Sequence, residues 1–248
     1  GIFRTTNGGG SWQTVGRGVV YPIVRDLAFD PSKPKTVYAG TNQGICRSTN
    51  GGATWASISG TLLAQRIILS VAVHPTSPET IFVGSAGHGI YKTTNGGTTW
   101  TWLNNELSGL DIWQLAIDPS QPKIMYAGAG SGGLFKSVNG GTTWTSAGRS
   151  EWGAGLEIDP VDSRIVYFAA TDKCWKSADK GKTWTSLNLP AMRMVRTLAT
   201  DPRASGTLYL GTDYKGFFKS TDGGSTWTSL NTGLGGAEVF RIAVAPTS

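Results

Sequence analysis

Cysteine is nearly missing from this chain, histidine is equally scarce, and no apolar run approaches the length of a bilayer span. Cys46, Cys174, His74 and His88 are the whole complement of the two residue types, and none has a Cys or His neighbour at metal-ligand spacing. A structural metal is therefore not expected, and neither is a cofactor. Crossing a membrane takes about 18 consecutive apolar residues, which the sequence nowhere offers. Charged residues make up only 15% of the chain against 39% hydrophobic, too little charge for a disordered polymer and enough apolar material for a sizeable core. No Asn-x-Ser/Thr site occurs, so nothing supports a glycosylated ectodomain. Sustained helical periodicity is absent too, which leaves an all-β reading.

What is present is repetition. The octad Ser/Thr-x-Asn/Asp-x-Gly-x-Thr/Ser-Trp recurs six times, ending at Trp12, Trp55, Trp100, Trp144, Trp184 and Trp227, with spacings of 43, 45, 44, 40 and 43 residues. A strand-like repeat of 40–50 residues is the signature of a propeller blade. Each unit carries short β-branched or aromatic segments bounded by Pro and Gly, such as Thr36–Gly40, Thr80–Gly84, Ile124–Gly128, Ile165–Ala169 and Thr207–Gly211. We label the four strands of a unit A to D and place the octad in the C to D turn. The expected fold is a single domain over 1–248, an all-β, six-bladed β-propeller of four-stranded antiparallel blades. Its blade units run over 16–58, 59–103, 104–147, 148–187 and 188–230, with a split blade from 231–248 plus 1–15. Strands from both termini would close the ring and remove exposed sheet edges. Strand B of the split blade has no counterpart, so the alternative is a fragment of a seven-bladed or larger propeller.

Repetition also assigns the octads. A motif required in every unit serves every unit, whereas an active site is usually singular. Asn7, Asn50, Asn95, Asn139, Asp179 and Asp222 read as turn residues, each able to bond nearby backbone N–H groups, and the tryptophans read as buried area between strands. The Asp-Pro pairs at Asp30, Asp118, Asp159 and Asp201 recur after strand A and read the same way. Cys46 and Cys174 fall on strand C of distant units, beyond the roughly 7 Å of Cα separation that a disulfide tolerates, and are expected as free thiols. The net charge of +6 comes largely from one cation before each octad, namely Arg4, Arg47, Lys92, Lys136, Lys176 and Lys219. A ring of single cations is not a patch, so nucleic acid is not an expected partner.

The octads, for example Ser48-Thr49-Asn50-Gly51-Gly52-Ala53-Thr54-Trp55 and Ser220-Thr221-Asp222-Gly223-Gly224-Ser225-Thr226-Trp227, resemble the Asp-box or bacterial-neuraminidase repeat (BNR), and the resemblance covers essentially the whole chain. That family includes sialidases, xyloglucan-cleaving hydrolases, sortilin-like receptors and photosystem II assembly factors. It implies a propeller whose boxes lie away from any active site, without identifying the ligand.

The boxes share one end of each blade with the A to B turns, so the functional candidates belong at the other end, on the B to C turns and the D to A connections. The strand-A starts align as Arg25, Leu69, Trp113, Ala154, Arg196 and Phe240, followed by Asp26, Ser70, Gln114, Gly155, Thr197 and Arg241. Arg25, Arg196 and Arg241, with Arg17 and Arg193 nearby, suit an anionic ligand. Trp113, Trp152, Tyr214 and Phe240 suit stacking on a sugar ring, and Asp213 is a further ligand-binding candidate. A purely structural role, in which these arginines pair with Asp26, Asp213 or Glu238, stands beside that reading. Glu157 occupies a column otherwise held by Ala28, Ala72, Ala116, Ala199 and Ala243, with Lys173 as its expected partner. Hydrolysis by two carboxylates would recruit Glu157 with Asp111, Glu151 or Asp172, and a sialidase-like site would use the three arginines. The Arg-Ile-Pro signature of sialidases is missing; the nearest string is Tyr21-Pro22-Ile23-Val24-Arg25. No catalytic residue is assigned. The expected protein is a non-catalytic, exported bacterial propeller, extracellular, periplasmic or at the cell surface, monomeric or part of a larger chain, that binds a glycan or protein ligand at the loop end. A glycoside hydrolase and an assembly or scaffold factor are the alternatives.

Overall fold

The computed structural model describes residues 2–5, 11–19, 23–103, 106–191, 194–231, 238, 239, 242 and 244. A two-stranded ribbon, β1 (Phe3–Arg4) and β2 (Gln13–Thr14), precedes five four-stranded antiparallel sheets. Blade 1 is β3 (Val24–Asp30), β4 (Lys33–Thr41), β5 (Gly44–Ser48) and β6 (Ala56–Ser57), followed by the one-turn helix α1 (Gly60–Leu63). Blade 2 is β7 (Ile68–Val73), β8 (Ile81–Ser85), β9 (Gly89–Thr93) and β10 (Thr101–Leu103); blade 3 is β11 (Gln114–Ile117), β12 (Met125–Gly128), β13 (Leu134–Ser137) and β14 (Thr145–Arg149). Blade 4 is β15 (Gly153–Ile158), β16 (Val166–Ala170), β17 (Cys174–Ser177) and β18 (Thr185–Ser186), and blade 5 is β19 (Val195–Thr200), β20 (Leu208–Thr212), β21 (Gly216–Ser220) and β22 (Thr228–Ser229). Strands within a blade follow chain order, the meander of a β-propeller blade. Two compact units divide the chain, Gly1–Ile117 and Asp118–Ser248, and the division runs directly after β11.

Six blades were expected and five are found. The ribbon β1–β2 supplies only the C and D strands of the sixth. Val239, Ile242 and Val244, within the expected A strand, are not in a strand, and the residues among them lie outside the described set. The physical reason is the missing strand B, without which an A strand has no ladder to reach β1. Closure of a ring by both termini is therefore not what the described residues form, whereas a fragment of a larger propeller is compatible with them.

The core lies between blades, which is why the strands are apolar on both faces. In the first unit Tyr38 and Ile45 of blade 1 pack with Ile68, Val71, Ile81 and Tyr91 of blade 2. In the second, Tyr167 and Cys174 of blade 4 pack with Val195, Leu198, Leu208 and Phe218 of blade 5. Such close approach explains the glycine that ends strand B: a Cβ at Gly84 would lie 2.5 Å from the Ile112 carbonyl oxygen. The alanine column has a cause as well. Ala28 stands opposite Tyr38, Ala72 opposite Phe82 and Ala199 opposite Tyr209, so a small residue on strand A makes room for a large ring on strand B.

Candidate functional site

At the box end the five described octads build the same turn. Ser48 Oγ accepts from the Gly52 N–H at 2.9 Å, and Asn50 Oδ1 accepts from the Ser48 hydroxyl and from the Thr54 N–H, both at 2.9 Å. Asn95, Asn139, Asp179 and Asp222 repeat it. Asparagine and aspartate are interchangeable because the Thr hydroxyl can face either way. Asn50 Nδ2 donates to Thr54 Oγ1 at 2.8 Å, whereas the Thr183 hydroxyl donates to Asp179 Oδ2 at 2.6 Å. Those hydroxyl and N–H bonds hold the Asp179 and Asp222 carboxyls well below the usual range, Thr183 and Thr226 being the leading donors.

The box end also fastens blade to blade. Trp55 Nε1 donates to Val15 O, Trp100 Nε1 to Ile58 O and Trp184 Nε1 to Ala147 O, at 2.7–2.8 Å, each a carbonyl preceding its own blade. Trp144 is buried and bonds its own turn at Gly141 O, while Trp12 is exposed; Asn7 lies outside the described residues. At three boxes the preceding cation reaches the other way. Arg4 donates to Gly51 O, Arg47 to Gly96 O and Lys136 to Lys180 O, the same box position each time. Lys92, Lys136, Lys176 and Lys219 meanwhile lie 5.2–5.7 Å over the strand-B ring beside them. The positive charge of the chain thus has a structural use. Asp30, Asp118 and Asp159 accept two successive backbone N–H bonds in their A to B turns, and Asp201 accepts one. Burial works to raise the Asp118 carboxyl, but the Ser120 hydroxyl and the Gln121 and Ser120 N–H groups outweigh it and lower it.

At the loop end, the column that begins strand A is a column of bulges. The register shifts between Val24 and Asp26, Ile68 and Ser70, Gly153 and Gly155, and Val195 and Thr197, which singles out Arg25, Leu69, Ala154 and Arg196. A bulge re-aims its side chain, and here it aims an arginine at its own B to C turn. Arg25 Nε donates to Asn42 Oδ1 at 2.8 Å; Arg196 grips Asp213 with Nε and Nη2 at 2.5 and 3.0 Å. Both span 17 residues, so Asn42 was legible as the counterpart of Asp213. The following column stitches blades together: Asp26 Oδ2 accepts from the Val71 N–H at 2.8 Å, and the Ser70 hydroxyl donates to Ile112 O at 3.0 Å. Trp113 is half-buried just before β11. Arg17 is exposed; Arg193, Phe240 and Arg241 lie outside the described residues.

Tyr214 stands apart. It and Lys180 are the non-glycine residues of positive φ among those described, at 55° and 60°. Lys180 has a structural explanation, since its ammonium reaches Asp118 Oδ2 at 3.4 Å. Tyr214 is 63% exposed at the tip of the blade 5 turn, and its hydroxyl bonds Glu238, which raises its pKa. Trp152, 48% exposed, precedes β15 at the same end of blade 4, where Arg149 lies 4.2 Å over the Trp175 ring.

Glu157 and Asp172 stand at opposite ends of blade 4. Glu157 faces Tyr167 near the box end of β15 and receives the Thr200 hydroxyl at 3.5 Å. Asp172 and Lys173 are exposed at the loop end of the same blade. The five residues from Tyr167 to Asp172 at about 3.3 Å each put that carboxylate about 16 Å along the strand, against the roughly 5–9.5 Å of a hydrolytic pair. Asp111, in the first unit, braces a turn by accepting the Gly87 N–H at 2.7 Å, and Glu151 pairs with Arg149 at 3.8 Å. Cys46 and Cys174 are free and buried; burial pushes the Cys174 thiol up to about 12. Among the described residues no cluster could hold a metal, and no helix is long and apolar enough to cross a membrane.

These blades have relatives. The family model for photosynthesis system II assembly factor YCF48 matches residues 4–164, and that for sortilin, neurotensin receptor 3, matches residues 132–244. The chain belongs to the BNR, or Asp-box, family of β-propellers. No curated protein matches the sequence. Among solved structures, the GH74 enzyme of Niastella koreensis is similar at 23% identity and a TM-score of 0.76, over 91% of this chain and 41% of that one. The GH74 xyloglucanase from Xanthomonas campestris is similar at 17% and 0.72, again over 91% and 41%. YCF48 bound to D1 peptide is similar at 15% and 0.59, over 84% and 68%. The chain spans about two fifths of the GH74 enzymes, and at these identities the likeness is one of fold.

Proposed function

We propose that this propeller is a non-catalytic binding module, exported from a bacterium, whose loop end takes a glycan or protein ligand. The observation that carries the reading is Tyr214. Holding a tyrosine in the left-handed region costs on the order of 1–2 kcal/mol, and here that cost presents an exposed ring beside a fixed Arg196–Asp213 pair. The equivalent turn of blade 2 holds Gly87 at φ 68°, so the geometry belongs to the turn, and a tyrosine kept where glycine serves elsewhere is what marks Tyr214 for recognition. Trp152 adds a second exposed ring at the same end of the neighbouring blade. Rings and a polar pair suit stacking on a sugar or a side chain with hydrogen bonds at its edge. A peptide ligand is supported by the D1 peptide complex of YCF48, and a glycan by the xyloglucanase among the structural neighbours.

The test is a glycan array and a peptide array probed with the wild type, Tyr214→Ala and Trp152→Ala. Signal on one array, lost in both variants, supports the reading; signal unchanged in both sinks it. A glycoside hydrolase is the second reading, favoured by the GH74 neighbours. Turnover of a panel of xyloglucan oligosaccharides and aryl glycosides by the wild type would establish it in place of the first.

A further inference from the structure

A cleft of about 580 Å³ opens at the box end of the first unit, between blades 1 and 2, with Asp30, Lys33, Lys35, Tyr38, Arg47 and Glu79 among its lining. Two other seams carry a carboxylate at the same position, both in the second unit, and both are filled. Between blades 3 and 4 the Lys180 ammonium occupies it, 3.4 Å from Asp118 Oδ2. Between blades 4 and 5 the Ser205 hydroxyl and the Gly206 N–H reach Asp159 Oδ2 at 2.9 and 3.1 Å. The corresponding carboxylate of the open seam is Asp30. It is 3% exposed, its Oδ1 is taken by Ser32 and Lys33 of its own turn, and its Oδ2 has no hydrogen-bond or ion-pair partner among the described residues. Neither filler is available here: the box position held by Lys180 is Gly96, and the positions of Ser205 and Gly206 are held by Pro78 and Glu79.

The other charges are largely engaged. Lys33 pairs with Glu79 at 3.5 Å, and Arg47 donates to Gly96 O at 3.3 Å. Lys35 is exposed at the rim, where it suits an acidic group beside the ligand's amine. We infer that this cleft is a receptor for a primary ammonium group, in the form of a lysine side chain of a peptide, which takes the place that Lys180 takes in the second unit. It stands at the opposite end of the blades from Tyr214 and does not rest on the function proposed for that end.

Nitrogen-15 chemical-shift titration of the full chain with Nα-acetyl-lysine amide, its Nζ-acetylated counterpart and inorganic phosphate tests the assignment. The amine should shift the amides of Asp30, Tyr38, Arg47 and Gly96, and the Nζ-acetyl compound should bind at least tenfold more weakly. Gly96→Lys should abolish binding by filling the cleft from within. That variant is expected to fold, since Lys180 already adopts φ 60° at the position where Gly96 has 67°, and the nearest obstacle to its Cβ is the mobile end of Glu79. Asp30→Asn should weaken binding to the same degree. Equal binding of both lysine compounds, retained binding in folded Gly96→Lys, or shifts with phosphate alone would overturn the proposal.

Discussion

The two ends of each blade obey different rules. At the box end the same hydroxyl, amide, cation and indole recur from blade to blade; the hydroxyl accepts the same backbone N–H in all five described boxes, and the indole N–H reaches a preceding carbonyl at Trp55, Trp100 and Trp184, though not at Trp227. At the loop end the bulge position holds arginine in blades 1 and 5, leucine in blade 2 and alanine in blade 4. A repeat conserves what fastens one unit to the next, and it is free to vary where nothing must be fastened. Lys180 shows the converse. One substitution at a fastening position lets an ammonium reach Asp118, where Gly96 leaves the seam beside Asp30 open.

Ranked by size, the expected effects separate the ends. Trp144→Ala, which empties a buried box position, should cost about 3–5 kcal/mol in urea unfolding, whereas Trp12→Ala at an exposed one should change stability by less than about 0.5 kcal/mol. Arg196→Ala leaves a mostly buried Asp213 without its two-bond partner, so a loss of about 1–2 kcal/mol is expected. The exposed Arg25, with a single bond to Asn42, should lose no more than about 0.5 kcal/mol on the same truncation. Equal losses for the two arginines would mean that the paired turns are not equivalent. Tyr214→Gly should raise stability by roughly 0.5–1 kcal/mol through release of the left-handed strain while abolishing ligand binding, a pairing that thermal unfolding and the arrays can check together.

Smallest at neutral pH is the effect of the box carboxylates. Asp179 and Asp222 have folded pKa values below their unfolded ones, so their contribution is present above the unfolded pKa of about 4 and is lost as pH falls below it. The boxes of the first unit that are described carry Asn50 and Asn95 and contribute no such loss. The double variant Asp179→Asn, Asp222→Asn should match the wild type at pH 7 and resist acid better between pH 4 and 2, as followed by the denaturation midpoint. Identical acid curves would show that the donors do not act on the carboxylates as the geometry requires.

Most of the fold was legible because the octad fixes a turn and the turn fixes its strands. Blade type, strand order, free thiols and the bonding of the box residues follow from spacing and turn chemistry alone. Blade number did not, because counting octads credits a full blade to a box that has only strands C and D beside it. The candidate site was legible as columns but not as bonds. Aligning strand starts placed Arg25 and Arg196 in one column, but a bulge cannot be seen in a sequence, and the bulge turns each arginine onto its own turn. Glu157 was legible as a member of the alanine column but not as a residue near the box end. The alanine column is small because an aromatic faces it across the strand, and that column runs toward the box end, away from the loops.

Hydroxyl-radical footprinting of the wild type with and without a ligand from either array measures directly which end of the second unit recognises. Protection should fall on residues 150–152 and 213–215, with residues 177–184 and 220–227 unchanged. Protection of the two boxes, with Trp152 and Tyr214 left as reactive as in the free protein, would contradict the division of labour between the ends.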